Sequence, residues 1–102
     1  MISVMLVCSA GMSTSLLVEK VKTAAKEKDV ELNITALSET EAKNDYSRAD
    51  ILLLGPQVRY LESVFRRVLN GSGTKLAVVD MLAYGRMDGE KVLSQILSLA
   101  EC

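Results

Sequence analysis

Residues 2–15 read ISVMLVCSAGMSTS, and this stretch decides the fold of the chain. The first half, from Ile2 to Val7, is apolar except for Ser3, which is typical of a strand buried on both faces of a parallel sheet. The second half contains only small, hydroxyl-bearing or flexible residues and one methionine, and a helical pattern begins directly after it. A strand, a small-residue loop and a helix N-terminus in this order form a cradle for an anion. Cys8 lies at the mouth of that cradle, where the same geometry favours a thiolate.

Short β-rich runs and amphipathic helical stretches alternate along the rest of the chain. The predicted strands are residues 2–7, 30–37, 50–54 and 75–79. A helical apolar pattern runs from Leu16 to Ala25, and shorter helices are predicted over 40–46 and 58–69. Ser38-Glu39-Thr40-Glu41 has the pattern of a capping box. Residues 80–87 are expected to form a loop or a single turn, after which Asp88 caps a last helix.

Four strands, each followed by a helix, predict an α/β fold with a parallel sheet and helices on both faces. The runs 2–7 and 50–54 suit the sheet centre, which gives the strand order 2-1-3-4. Ligands bind such sheets beyond the carboxyl ends of the strands, here between the first and third strands. We therefore expect Cys8 and Gly55-Pro56-Gln57 to form the two lips of a crevice, with the loop from Asp80 to Tyr84 on its third side.

Composition narrows the classes of function. The chain has 102 residues, 49% of them apolar, which predicts one domain over residues 1–102. A net charge of −1 argues against nucleic acid or an anionic membrane as a partner.

No run approaches the ~20 apolar residues of a membrane span, and no basic segment of a signal peptide precedes Ile2. The two cysteines lie far apart in sequence, which does not suggest the disulfide framework of a secreted protein, so we expect a cytoplasmic protein. We expect no role for Cys102. No large apolar surface stripe stands out, so a monomer is expected.

The chain contains no histidine. Cys–His and Ser–His–Asp catalysis are therefore excluded, and two cysteines without histidine do not make a structural zinc site. The loop after Cys8 has neither the lysine of a Walker motif nor the three spaced glycines of a dinucleotide site. We expect neither a metal nor a cofactor, and the Cys8 thiolate must be stabilised by the loop and the helix that follows.

The spacing after Cys8 resembles the phosphatase loop Cys-x5-Arg-Ser/Thr, but one component is absent. The sixth position after Cys8 is Thr14, followed by Ser15, where a phosphatase carries the arginine that clamps the transition state. Without that arginine, backbone amides and hydroxyls can hold a phosphocysteine while its hydrolysis stays slow. The amides of residues 10–15 and the helix dipole would neutralise the transferred phosphoryl group. The residues thus favour a nucleophilic cysteine that carries a phosphoryl group.

Three alternatives remain open at this point. A cysteine-dependent phosphatase of the same fold type would turn over aryl phosphates, with Asp80 or Asp88 as a candidate acid. A redox thiol protein would need a resolving cysteine close to Cys8, and the only other one is Cys102. A binding module for phosphate-bearing ligands remains if Cys8 is unreactive.

Three motifs resemble enzyme IIB of the lactose/cellobiose (chitobiose) class of the bacterial phosphoenolpyruvate-dependent sugar phosphotransferase system. They are CSAGMSTS at 8–15, LLGPQV at 53–58 and YGRMDG at 84–89. The resemblance implies a four-stranded parallel sheet with flanking helices, similar to the low-molecular-weight tyrosine phosphatase fold. It also implies that Cys8 accepts phosphate from a phosphohistidine of a IIA protein and passes it to a sugar held by a membrane IIC protein. The sugar stays open among cellobiose, chitobiose, lactose and other β-glucosides.

The candidate site residues surround the expected crevice. Those expected to bind phosphate are Ser9, Ala10, Gly11, Met12, Ser13, Thr14 and Ser15, although each hydroxyl equally suits a helix cap. Gln57 is a candidate for contact with the phosphoryl group or the cysteine loop. Tyr84 is either a packed aromatic or a phosphate contact, and Asp80 either caps the next turn or braces the loop. Met12 and Arg59 are the candidates for contact with partner proteins.

Overall fold

Four strands form one parallel sheet. The structure is a computed structural model that describes residues 1–8 and 11–100, with the backbone alone described at 11–14. The strands are β1 (Ile2–Val7), β2 (Leu32–Leu37), β3 (Ile51–Leu54) and β4 (Lys75–Val78). They lie in the order β2-β1-β3-β4, and every neighbouring pair is parallel. The predicted sheet and strand order are confirmed.

Five α-helices connect or follow these strands in the described part of the chain. They are α1 (Gly11–Glu27), α2 (Glu39–Asp45), α3 (Glu62–Val68), α4 (Met81–Gly85) and α5 (Gly89–Ala100), with 3₁₀ turns at Tyr46–Arg48 and Pro56–Leu61. The helix predicted over 58–69 is therefore part 3₁₀ and part α. The second strand begins later than predicted because Val30 instead closes α1, its N–H donating to the Ala25 carbonyl at 2.8 Å.

The start of α1 differs from the sequence prediction. Residues 11–15 were expected to be loop, yet the helix begins at Gly11. Small and hydroxyl-bearing residues suit a helix N-terminus as well as a loop, so composition did not separate the two. The connection between β1 and α1 is correspondingly short.

Two apolar layers cover the sheet. On one face, β1 places Val4 and Leu6 against α1, α4 and α5. On the other, Val7 packs with α2, α3 and the 3₁₀ turn before α3. The four residues of β3 are buried, as expected of a strand at the centre of the sheet. The predicted helices on both faces are confirmed.

One residue of the predicted core stripe of α1 is exposed. Leu16 is 51% exposed, whereas Leu17 and Val21 are fully buried. Leu16 lies on the same helical face as Glu19 and Lys20, three and four positions further on, which are also exposed. The prediction that Leu16 faces the core was wrong.

Local signals set the ends of several helices. The Ser38 hydroxyl accepts from the Glu41 N–H at 3.2 Å and the Glu41 carboxylate accepts from the Ser38 N–H at 3.0 Å, so the capping box before α2 is confirmed. The Asp88 carboxylate accepts from the Lys91 N–H at 3.1 Å and caps α5 as predicted. None of the helices in residues 1–8 and 11–100 has the length and apolarity of a membrane span.

Candidate functional site

Cys8 is the first residue beyond β1, at the carboxyl edge of the sheet. Its N–H donates to the Leu37 carbonyl at 3.1 Å, which continues the β1–β2 ladder by one residue. The Sγ atom lies 3.9 Å from the same oxygen, so the thiol also donates towards the end of β2. Only 7% of the residue is exposed. The thiol is therefore held at the carboxyl end of a central strand and is almost enclosed.

The N-terminus of α1 lies close to this thiol along the chain. Gly11, the first residue of α1, is three positions after Cys8, so the two are within about 11 Å of each other. The first N–H groups of a helix have no partner within it, and the dipole of a 17-residue helix is positive at this end. No acidic residue lies in the first turn to neutralise it. The arrangement favours an anion between Cys8 and α1.

Several candidates in this loop lie outside the described residues. They are Ser9 and Ala10, together with the side chains of Met12, Ser13 and Thr14; Cys102 also lies outside. Of the remaining candidates, Gly11 contributes its helical backbone and Ser15 is exposed on the first turns of α1.

Gln57 and Tyr84 both approach Gly55, which is bonded to the residue that precedes Cys8. The Gly55 N–H donates to the Val7 carbonyl at 2.9 Å, which ties the end of β3 to the end of β1. A Cβ atom built on Gly55 would lie 3.4 Å from that carbonyl oxygen, 3.0 Å from Gln57 Oε1 and 3.5 Å from Tyr84 Cε2. The absence of a side chain at residue 55 thus leaves room for both groups beside it. Gln57 is exposed and Tyr84 is buried.

Asp80 caps α4. Its Oδ2 accepts from the Ala83 N–H at 3.0 Å, and its carbonyl accepts from the Tyr84 N–H at 2.9 Å. Of the two roles considered for Asp80, the structure shows the cap. Arg59 is exposed two positions after Gln57.

Gln95 is a residue of this region that the sequence analysis missed. Its Oε1 accepts from the Asp80 N–H at 3.2 Å, and its Nε2 donates to the Val78 carbonyl at 2.8 Å. A signal was present, because Gln95 is a polar residue three positions after buried Val92 and four before Leu99, which packs against the same core. A carboxamide in an apolar helical stripe generally has a defined hydrogen-bonding partner.

Large exposed apolar side chains concentrate at the same edge of the sheet. Among the residues whose side chains the structure describes, the large exposed apolar ones are Met1, Leu16, Tyr60, Met81 and Leu82. Leu16 belongs to the helix after β1, Tyr60 to the turn after β3, and Met81 and Leu82 to the helix after β4. Four of the five therefore follow carboxyl ends of strands, on the side of Cys8. Concentrated apolar exposure of this kind marks surfaces that contact other proteins.

No cluster of three or more potential metal ligands occurs among the residues that the structure describes.

Comparisons with known proteins agree on one family. The sequence profile described as "PTS system, Lactose/Cellobiose specific IIB subunit" matches residues 3–95. The oligo-beta-mannoside-specific EIIB component of Bacillus subtilis (strain 168) is 43% identical over 96 residues, covering 94% of this chain and 93% of that protein. The galactose-specific EIIB component of Lactococcus lactis subsp. cremoris (strain MG1363) is 39% identical over 94 residues, covering 87% of each. The solution structure of a cellobiose-specific IIB component from Borrelia burgdorferi superposes with a TM-score of 0.79 at 35% identity, covering 96% of this chain and 90% of that one.

Proposed function

The chain belongs to the lactose/cellobiose-specific IIB family of the sugar phosphotransferase system, and on this premise we propose that Cys8 is the residue that carries the phosphoryl group. Members of the family act as phosphotransferases, and the chain is a phosphoryl carrier in sugar uptake. In the proposal, residues 1–102 act as one IIB domain. The observation that carries the proposal is the position of Cys8, at the end of a central strand and three residues before a 17-residue helix with no acidic residue in its first turn.

Phosphoryl acceptance is a displacement at phosphorus. The Cys8 thiol first loses its proton to solvent, which ends its contact with the Leu37 carbonyl. The thiolate then attacks the phosphorus of a phosphohistidine on IIA, so that an S–P bond forms and the P–N bond breaks. The electron pair of that bond stays on the imidazole, which leaves. The N–H groups and the dipole of α1 stabilise the negative charge that arrives with the phosphoryl group.

In the second transfer, the Cys8 sulfur is the leaving group instead of the nucleophile. A sugar hydroxyl held by IIC attacks the phosphorus, the S–P bond breaks, and the Cys8 thiolate is regenerated. The hydroxyl proton goes to a base of the membrane partner. In the proposal, residues 9–15 bind the phosphoryl oxygens, the exposed Gln57 amide donates to one of them, and Tyr84 closes the site from the opposite side.

Both partner proteins must reach Cys8 from the same side. A IIB component works with a IIA and a IIC protein, and the proposal places their contacts on the exposed apolar residues at the carboxyl edge of the sheet. Leu16, Met81 and Leu82 are 51%, 61% and 66% exposed. Met12 would add a deformable thioether, and Arg59 would meet an acidic group of one partner. The chain itself is proposed to be a cytoplasmic monomer between these encounters.

A β-linked disaccharide is the proposed sugar class. Two of the three relatives are named for such linkages, an oligo-beta-mannoside and cellobiose, and the third is named for galactose. Because the sugar is bound by IIC, transfer assays with IIC and each sugar decide among them. Phosphorylation of galactose in preference to both β-linked sugars would contradict this assignment.

Intact-mass spectrometry tests the role of Cys8. The chain is mixed with phosphoenolpyruvate, the general phosphotransferase proteins and a phosphorylated IIA of the lactose/cellobiose class. Wild type and the matched control Cys102→Ser should gain the mass of one phosphoryl group, and Cys8→Ser should gain none. Equal gain by Cys8→Ser would overturn the proposal. Steady release of inorganic phosphate from an aryl phosphate, without a stable adduct, would indicate a phosphatase instead.

A further inference from the structure

Gln95 bridges two backbone groups that the sheet leaves without a strand partner. β4 is an edge strand and pairs only with β3. On its open side, the Val78 carbonyl accepts from Gln95 Nε2 at 2.8 Å and the Asp80 N–H donates to Gln95 Oε1 at 3.2 Å. A carboxamide offers one donor and one acceptor direction in the same plane, as a peptide group does. The half-buried Gln95 side chain thus takes the place of a further strand at the end of β4.

The turn that Gln95 holds sets the position of Tyr84. Asp80, whose N–H is bound by Gln95, begins α4 with its carboxylate on the Ala83 N–H and its carbonyl on the Tyr84 N–H. The Tyr84 ring in turn lies beside Gly55, where a Cβ atom would be 3.5 Å from Tyr84 Cε2. The Gly55 N–H donates to the carbonyl of Val7, the residue before Cys8, at 2.9 Å. A continuous series of contacts therefore leads from α5 to the wall of the site, through Asp80 and Tyr84.

From these contacts we infer that Gln95 is a positioning residue for phosphoryl transfer, acting through Asp80 and Tyr84. The inference rests on the proposed role of Cys8. Gln95 touches neither the phosphoryl group nor Cys8; it fixes the β4–α4 turn so that the Tyr84 ring stays against Gly55, at the end of β3. Without the bridge, two backbone groups lose their partners and the turn relaxes away from the sheet.

Gln95→Met separates the hydrogen bonds from the packing, because methionine has a similar length and makes neither bond. We expect a roughly tenfold fall in kcat/KM for acceptance from phosphorylated IIA, since a full 1 Å misplacement of a site group costs about 100-fold. Leu97→Ala is the matched control: it weakens the packing of the same helix against Ala24 and Ala25 of α1. Leu97→Ala should leave the rate unchanged at temperatures where it is folded. Equal rates for wild type and Gln95→Met would overturn the inference.

A double-mutant cycle tests the route through Tyr84. In a Tyr84→Leu background the wall is already altered, so Gln95→Met should lower the rate further by less than about twofold. A full tenfold loss in both backgrounds would show that Gln95 does not act through Tyr84, and would contradict the inference.

Amide chemical shifts test the positioning independently of transfer. In Gln95→Met, the amides of Tyr84 and Gly55 should shift along with that of Asp80, which loses its bond directly. A change that leaves the amides of Tyr84 and Gly55 in place would overturn the inference even if transfer is slowed. If the wild-type chain accepts phosphate from no donor, the proposed function fails, and the shifts still decide whether Gln95 positions Tyr84.

Discussion

Gly89→Ala is predicted to destabilise the protein because a methyl group at this position meets the backbone of α1. A Cβ on Gly89 would lie 2.5 Å from the carbonyl carbon of Lys20 and 2.9 Å from its Cβ. Non-bonded carbons prefer about 3.5–4.0 Å, so α5 and α1 must separate by roughly 1 Å. Because the Lys20 carbonyl belongs to a helix, it cannot turn aside.

Two opposing effects determine how far Gly89→Ala lowers the free energy of unfolding. Overpacking of this kind costs about 1–3 kcal/mol, and replacing a helical glycine with alanine returns at most ~1 kcal/mol. The free energy of unfolding should therefore fall by about 1–2 kcal/mol. For a domain near this size each kcal/mol lowers the Tm by about 4–8 °C, which gives an expected fall of about 10 °C.

Thermal unfolding followed by circular dichroism measures this fall. Gly85→Ala is the matched control, since a Cβ there meets no atom within 4 Å, and its free energy of unfolding should stay within about 0.5 kcal/mol of wild type. If Gly89→Ala is as stable as Gly85→Ala, the steric argument is refuted and the two helices are not fixed at this contact.

Three further predictions concern stability. Asp29 adopts φ 55° at the C-terminus of α1. Asp29→Gly removes backbone strain and a negative charge from that helix end, so it should raise the free energy of unfolding by about 0.5–1 kcal/mol. Thermal unfolding measures this change, and a lower Tm would contradict it. Lys75 donates to the Leu99 carbonyl in the last turn of α5, so Lys75→Met should lower stability in urea by about 1 kcal/mol; an unchanged midpoint and slope would contradict it. Hydrogen bonds from the backbone N–H and then the side chain of Ser38 hold the pKa of Glu41 below its ordinary value of 4.5. The resulting stability is complete at neutral pH and is lost as the pH falls below 4.5 through the lowered pKa. Glu41→Gln should flatten this part of the curve in denaturant titrations at each pH, and an unchanged curve would show that the cap contributes nothing.

Local signals predicted most of the fold. The run Ile2–Val7 is the first strand to the residue, because central strands of a parallel sheet have nearly continuous apolar sequences, here broken only by Ser3. The capping box at Ser38 and Glu41 involves groups only three residues apart, so its pattern is readable without the rest of the molecule. Strand order followed from the alternation of strands and helices and from which strands are apolar on both faces.

Non-local contacts explain what the sequence did not predict. The packing of α1 involves Gly89 far along the chain, which lies against Lys20. Gln95 acts through residues 15 and 17 positions before it, and no spacing rule links them. Leu16 fits a helical apolar pattern, and only the orientation of α1 on the sheet leaves it exposed.

The topology predicted where the candidate site lies, but it predicted only some of the residues that surround it. Cys8 and Gln57 follow the two central strands, so a parallel sheet necessarily brings them to one edge. The approach of Tyr84 depends on the short helix α4, which the sequence indicated only as a loop or single turn. The proposed partner surface includes Met81 and Leu82, whose exposure was not predicted for the loop or single turn expected over residues 80–87.

The central claim is that Cys8 carries a phosphoryl group between two proteins, and a labelled chase tests it most directly. The chain is phosphorylated through IIA with labelled phosphoenolpyruvate and is then purified away from the donor proteins. Peptide mass spectrometry identifies the residue that carries the label. The account predicts that the label lies on the peptide containing Cys8, persists when the chain is alone, and moves to sugar only when IIC membranes and sugar are both added. Label on any other residue, or its release as inorganic phosphate at the same rate with and without IIC and sugar, would contradict the account.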